Sequence, residues 1–178
     1  MVYVLLADGF EEVEAITPID IMRRAGIEVK TAAIKDRVVT GAHNIPVTAD
    51  IMIHEIEPEK AELIMLPGGA GHELLDASND VHALLNHAAV EGIYIAAICA
   101  APSILGKKMM LDGKAATCFP GYEKYLYGAD VKKDKVIVDG KIITAKGAGA
   151  ASEFGFAITE ILKDKETADK LRKTMQYE

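Results

Sequence analysis

The segment Ala97-Ile98-Cys99-Ala100-Ala101 sets a thiol where an apolar run meets the start of a helix signal. A nucleophile elbow holds its nucleophile on a tight strand-to-helix turn, with small residues two positions to either side, because the two backbones nearly collide there. Both flanking positions here are alanine, and a thiol stands where a hydroxyl is usual. A helix N-terminus directly after Cys99 would favour the thiolate. The competing reading is a small buried hydrophobe, since free cysteine is among the most buried residue types. Spacing alone favours that second reading.

Other residues could complete a site around this sulfur. In Leu66-Pro67-Gly68-Gly69-Ala70-Gly71 the glycines let backbone N–H groups approach a ligand closely, whereas GxxxxGK[ST] is absent and no GxGxxG follows the first strand. The segment is either a plain turn or half of an oxyanion hole, with the Gly69 N–H acting beside the Ala100 N–H. Glu11, Glu12 and Glu14 form either a solvated helix start or a cluster with one member aimed at Cys99. A carboxyl facing a thiolate is raised in pKa by desolvation and like charge, so it would keep its proton and donate to sulfur. The histidines at 43, 54, 72, 82 and 87 contain no HExxH pair, and none adjoins Cys99. His82 and His87 read as surface residues; His72, just past the glycines, could line the cleft. Cys118 ends a short strand expected in the same sheet, either buried or lining the site. The ligand types are too scattered for a metal site, and no cofactor motif is present.

These residues need elements to position them. Val2–Ala7, Ile27–Ala33, Ala61–Leu66 and Ile93–Ile98 are strand-length apolar runs, the habit of parallel strands buried on both faces. Between the first two lies a helix with acidic residues in its first turn and Gly26 as its stop. Its expected apolar face is Val13, Ile16, Ile19 and Met22. Pro18 predicts a kink, or a second start capped by Thr17. Val38–Thr40 and Pro46–Ala49 flank a small hairpin, and Lys114–Cys118 is a short strand. Val131–Val138 and Lys141–Ala145 flank a two-residue turn at Asp139-Gly140. Further helices are expected from about Asp80 to Val90, just after Cys99, from Gly147-Ala148-Gly149 to about Lys163, and over Lys165–Met175. Strand–helix alternation implies an α/β sandwich around a mostly parallel sheet, with sites beyond the carboxyl ends of the strands. Asp8–Glu14, Pro67–Gly71 and Cys99–Pro102 all fall there.

Composition bounds the function. The 178 residues fit one domain, residues 1–178, burying on the order of 70% of the unfolded surface. With 50% hydrophobic and 26% charged residues, disorder and fibrous folds are excluded. A net charge of −7 repels phosphate backbones, so no nucleic-acid partner is expected. No apolar run reaches the ~20 residues of a membrane span. Two cysteines without a CxxC give neither a disulfide framework nor a zinc ribbon. Together with the lack of a signal peptide, this implies a cytoplasmic, reducing location.

Taken in order, Val4–Glu14, Pro18–Gly26, Leu66–Gly69, Ala96–Pro102 and Gly147–Gly149 through Glu153-Phe154 resemble the DJ-1/ThiJ/PfpI superfamily, in its DJ-1 branch. The resemblance implies a flavodoxin-like three-layer sandwich with a nucleophile elbow, and a homodimer. It implies a reactive, low-pKa Cys99 on strained backbone, a protonated Glu14 bonded to its sulfur, and Gly69 and Ala100 as backbone donors. Arg23 and Arg24 match a pair near the dimer interface. The implied activity is cofactor-independent glyoxalase or deglycase chemistry on dicarbonyls such as methylglyoxal, or on glycated thiol or amine adducts. The alternative is a cysteine-based oxidative-stress sensor or protective chaperone-like protein. Peptidase or amidase action ranks last, because Ala100 stands where the peptidase branch has the histidine base. A histidine that some DJ-1 proteins carry near the cysteine corresponds to Cys118 here.

Overall fold

A computed structural model describes residues 1–177. Its strands and helices are β1 (Val2–Leu6), α1 (Glu12–Arg24), β2 (Val29–Ala33), β3 (Val38–Thr40), β4 (Pro46–Thr48), β5 (Ile51–Met52), β6 (Leu63–Leu66), α2 (His72–Asp76), α3 (Asn79–Glu91), β7 (Tyr94–Ile98), α4 (Pro102–Lys107), β8 (Ala115–Ala116), β9 (Asp130–Val131), β10 (Val136–Asp139), β11 (Ile142–Ala145), α5 (Ala151–Leu162) and α6 (Lys165–Thr174). Seven strands form one sheet in the order β10-β11-β7-β6-β1-β2-β5. All its pairings are parallel except β10 with β11.

The apolar strand runs work as their composition predicts. Successive side chains point to opposite faces, so Val2, Val4 and Leu6 pack with Ala15, Ile19 and Met22 of α1 and Phe154 and Ile158 of α5. Tyr3 and Leu5 pack with Val81, Leu85 and Ala88 of α3 and Ile104 and Leu105 of α4. Both faces are therefore covered, giving the flavodoxin-like three-layer sandwich. Because β1, β6, β7 and β11 run parallel, the loops after all four emerge along one edge.

The structure departs from the sequence reading in four places. Helix α1 runs unbroken through Pro18 instead of restarting there. Its buried face is Glu12, Glu14, Ala15, Pro18, Ile19, Ile21 and Met22, while Val13 and Ile16 are 47% and 39% exposed. Val13 and Met22 are nine residues apart, about half a turn round a helix with 3.6 residues per turn, so a 3–3–3 pattern cannot stay on one face. The strand expected to end at Cys118 stops at Ala116 and pairs with β9 in a separate two-stranded sheet. The tight turn between β10 and β11 falls one residue later than expected, at Gly140-Lys141, with Asp139 already paired to Ile142. Nor are the α3 histidines free surface residues: both are half-buried, and the His82 ring meets the Asp76 carbonyl at 2.6 Å.

Candidate active site

Cys99 follows the last residue of β7 and sits at φ +66°, in the left-handed region. For a residue with a Cβ this conformation costs on the order of 1–3 kcal/mol and needs the surroundings to impose it. Both its backbone groups are fixed. The Cys99 N–H donates to the Ala145 carbonyl at 2.9 Å, and its carbonyl accepts from the Phe119 N–H at 2.8 Å. The chain then turns at once, with Ala101 N–H on the Ile98 carbonyl and the Ser103 hydroxyl on the Ala100 carbonyl. Ala97 and Ala101 are fully buried, so the small-residue requirement of the elbow is met on both sides.

The glycine loop closes over the sulfur. A Cβ added at Gly68 would lie 2.5 Å from the Cys99 Cβ, 2.5 Å from Glu14 Oε2 and 3.0 Å from Cys99 Sγ, so this position admits glycine alone. Gly69, at φ +78°, forms a bridge with Phe10, and a Cβ there would meet the Gly9 carbonyl at 2.4 Å. The N–H groups of Gly69 and Ala100 both donate to the Cys99 sulfur. Against the outer side of the loop, His72 Nδ1 lies 2.8 Å from the Gly69 carbonyl, with its ring packed edge-on to Tyr122. His72 thus touches the loop that supplies the donor.

The three glutamates separate by function. Glu14, 1% exposed, hydrogen-bonds the Cys99 thiol and accepts the Gly68 N–H on Oε2 at 3.1 Å and the Ala148 N–H. Burial is the main cause that pushes it up to about 7. Glu12 turns away to the β3–β4 hairpin and accepts both the His43 N–H and the His43 ring at 2.8 Å. Burial opposes its ionisation, yet these bonds hold it down at about 2. Glu11 Oε1 lies 3.7 Å from the His43 ring. Glu11, Glu12 and His43 also place ligand atoms within 4.8 Å of one another, close enough to share a metal ion, but both Glu12 oxygens are committed to His43.

The resemblance implies a low-pKa Cys99 beside Glu14, whereas the surroundings in the structure hold that thiol up. Burial, then the adjacent Glu14 carboxylate, push Cys99 up to about 12. Two such groups in one hydrogen bond titrate together. Glu14 loses its proton near 7, and the charge it then carries opposes ionisation of the adjacent thiol. The second proton is retained because two adjacent negative charges repel. The Gly69 and Ala100 N–H groups act the other way and favour the thiolate, but burial and Glu14 outweigh them.

Cys118 lies one residue from the Phe119 N–H that binds the Cys99 carbonyl, but it is 4% exposed and packs with the cluster on the other face of the sheet. Burial, then Glu123, push its thiol up to about 12. Phe119 and the lysines at 133, 135 and 146 were not singled out from the sequence, and Gly147 was read there only as part of a helix start and of the family resemblance. They frame a groove of about 480 Å³ that adjoins the pair at Gly147.

The geometry has close counterparts among known proteins. The DJ-1/PfpI family model matches residues 1–161. Protein dj-1beta of Drosophila melanogaster is 35% identical over 174 residues, covering 96% of this chain and 93% of its own. Protein DJ-1 homolog B of Arabidopsis thaliana is 37% identical over 171 residues; these cover 94% of this chain but only 39% of that longer protein. A protein named as a deglycase from Pyrococcus abyssi is 32% identical over 150 residues, 83% of this chain and 90% of its own. Among solved structures, a cysteine-to-alanine mutant of a DJ-1 superfamily protein from Salmonella typhimurium superposes with TM-score 0.94 at 32% identity, covering 99% of this chain and 98% of its own. Oxidized Toxoplasma gondii DJ-1 superposes with TM-score 0.94 at 34% identity, covering 98% of this chain and 97% of its own. No helix among the described residues is long and apolar enough to cross a membrane. In sequence and in fold, from β1 into α5, this chain belongs to the DJ-1/PfpI family.

Proposed function

We propose that this protein is a cofactor-independent enzyme acting on reactive dicarbonyls or their adducts, with Cys99 as nucleophile. The observation that carries the reading is the buried Glu14–Cys99 hydrogen bond, with two backbone donors aimed at the same sulfur. Sulfur adds to the aldehyde carbon of an α-oxoaldehyde, forming a C–S bond while the carbonyl oxygen takes up a proton, to give a hemithioacetal. Gly69 and Ala100 N–H groups stabilise charge developing at that oxygen. Glu14, poised near neutrality, carries the proton from the aldehyde carbon to the neighbouring carbonyl, and water then releases the acid and restores the thiol. The net change is addition of one water to the dicarbonyl, giving a hydroxy acid. The deglycase name of the Pyrococcus abyssi relative supports the same substrate class. The protein is taken to be cytoplasmic and homodimeric, with neither nucleic acid nor membrane as partner. The test is methylglyoxal consumption by the purified protein. Cys99→Ser should abolish turnover while the circular dichroism spectrum is retained; undiminished turnover by that variant overturns the reading.

A second reading is a cysteine-based oxidation sensor or protective protein, favoured by the oxidised state of the Toxoplasma gondii structure. Peroxide would take Cys99 to the sulfinate, and a protonated Glu14 would donate to one of its oxygens. After mild peroxide, a stable gain of about 32 Da at Cys99, two oxygens, supports it. An unchanged mass counts against it. Peptidase or amidase action has less support: the His72 ring is engaged with Gly69 and Tyr122.

A further inference from the structure

The groove beside the Glu14–Cys99 pair has a composition that the chemistry above does not require. Phe119, Pro120 and the Gly147–Ala150 segment form its apolar floor, and Lys133, Lys135 and Lys146 stand round it. A Cβ at Gly147 would lie 3.3 Å from the Phe119 ring and 3.7 Å from Glu14 Oε1, so the floor of the groove is also the wall of the reactive pair. Lys135 is paired with Glu153 at 2.6 Å. Lys133 and Lys146 make no ion pair among the described residues. The first turn of α5 opens onto the same groove without a side-chain cap. Two uncommitted cations at one groove of a chain of net charge −7 form a local reversal of sign.

We infer that this groove is an anion-selecting subsite: the carbonyl compounds that reach Cys99 carry a carboxylate or phosphate group, held by Lys133 and Lys146 while the apolar floor seats the carbon chain. The inference rests on the carbonyl-chemistry reading for its substrate class, but the charge preference can be measured without turnover. Iodoacetate and iodoacetamide form the same kind of C–S bond at Cys99 with loss of iodide, and differ by one negative charge. The ratio of their rates, followed by peptide mass at Cys99, reads the local potential and cancels changes in thiol ionisation. In Lys133→Gln/Lys146→Gln the iodoacetate-to-iodoacetamide ratio should fall about three- to tenfold, as expected for removing two partly screened charges. The wild-type ratio should decline with added salt, and the variant's ratio should not. An equal ratio in the two proteins, at low salt, overturns the subsite.

Turnover supplies the second arm. Wild-type protein should prefer 4-carboxyphenylglyoxal to phenylglyoxal in kcat/KM, and the double variant should lose most of that preference through KM. Equal kcat/KM for the two compounds overturns the subsite while leaving the carbonyl reading standing. If neither compound is consumed, the carbonyl reading fails, and the alkylation ratio still decides whether the groove selects anions.

Discussion

At the scale of residues, function turns on two groups sharing one site too small for two charges. Glu14 has its folded-state value raised to about 7 from the ordinary 4.5. A group raised in this way contributes its full stability below pH 4.5, and that contribution is lost as pH rises through 7. At about 1.4 kcal/mol per unit, the loss is on the order of 3 kcal/mol. Urea unfolding of the wild type at pH 4.5 and pH 7 should therefore show a drop of that order that Glu14→Gln does not share. Parallel curves for the two proteins would contradict the pairing. Gly68→Ala tests the steric half of the site, since the added methyl would lie 2.5 Å from both Cys99 Cβ and Glu14 Oε2. Overpacking of this kind costs about 1–3 kcal/mol, and Cys99 alkylation should slow at least tenfold as the pair is forced apart.

At the scale of elements, Glu14 reaches Cys99 because α1 is pressed against α5. Gly155 makes the approach possible: a Cβ there would meet Ile21 Cδ1 at 2.9 Å and the Pro18 Cα at 3.0 Å. Gly155→Ala gains up to about 1 kcal/mol of helix propensity but overpacks by about 1–3 kcal/mol. The melting temperature should fall by roughly 2–6 °C, and an unchanged or raised value would contradict the close packing. The same elements define what the sequence made legible. The strands were readable because β1, β6 and β7 are apolar on both faces, and the elbow because Ala97 and Ala101 leave room for its turn. The acidic helix start could not assign its three carboxylates, because sorting them requires the hairpin carrying His43 and the glycine loop, both distant in sequence. The lysine groove was equally hidden, since Lys133, Lys135 and Lys146 meet only when β10 folds back on β11. Cys118 was misplaced because a segment as short as Lys114–Cys118 does not reveal which sheet it joins.

At the scale of the whole molecule, Val13 and Ile16 leave an apolar step on the outer face of α1, three residues apart and so side by side. The proposed homodimer would cover them. Sedimentation should give twice the monomer mass at micromolar concentration, and Val13→Asp/Ile16→Asp should shift it towards the monomer; a monomeric wild type contradicts that assembly. Every functional reading of the chain requires a reachable sulfur whose proton is governed by Glu14. The most direct measurement is the pH dependence of iodoacetamide reaction at Cys99. In the wild type the midpoint should lie above the ~8.5 of an ordinary thiol, because burial and Glu14 hold the thiol up, and Glu14→Gln should lower it. A wild-type midpoint near the ordinary ~8.5, or one that Glu14→Gln leaves unchanged, would contradict it.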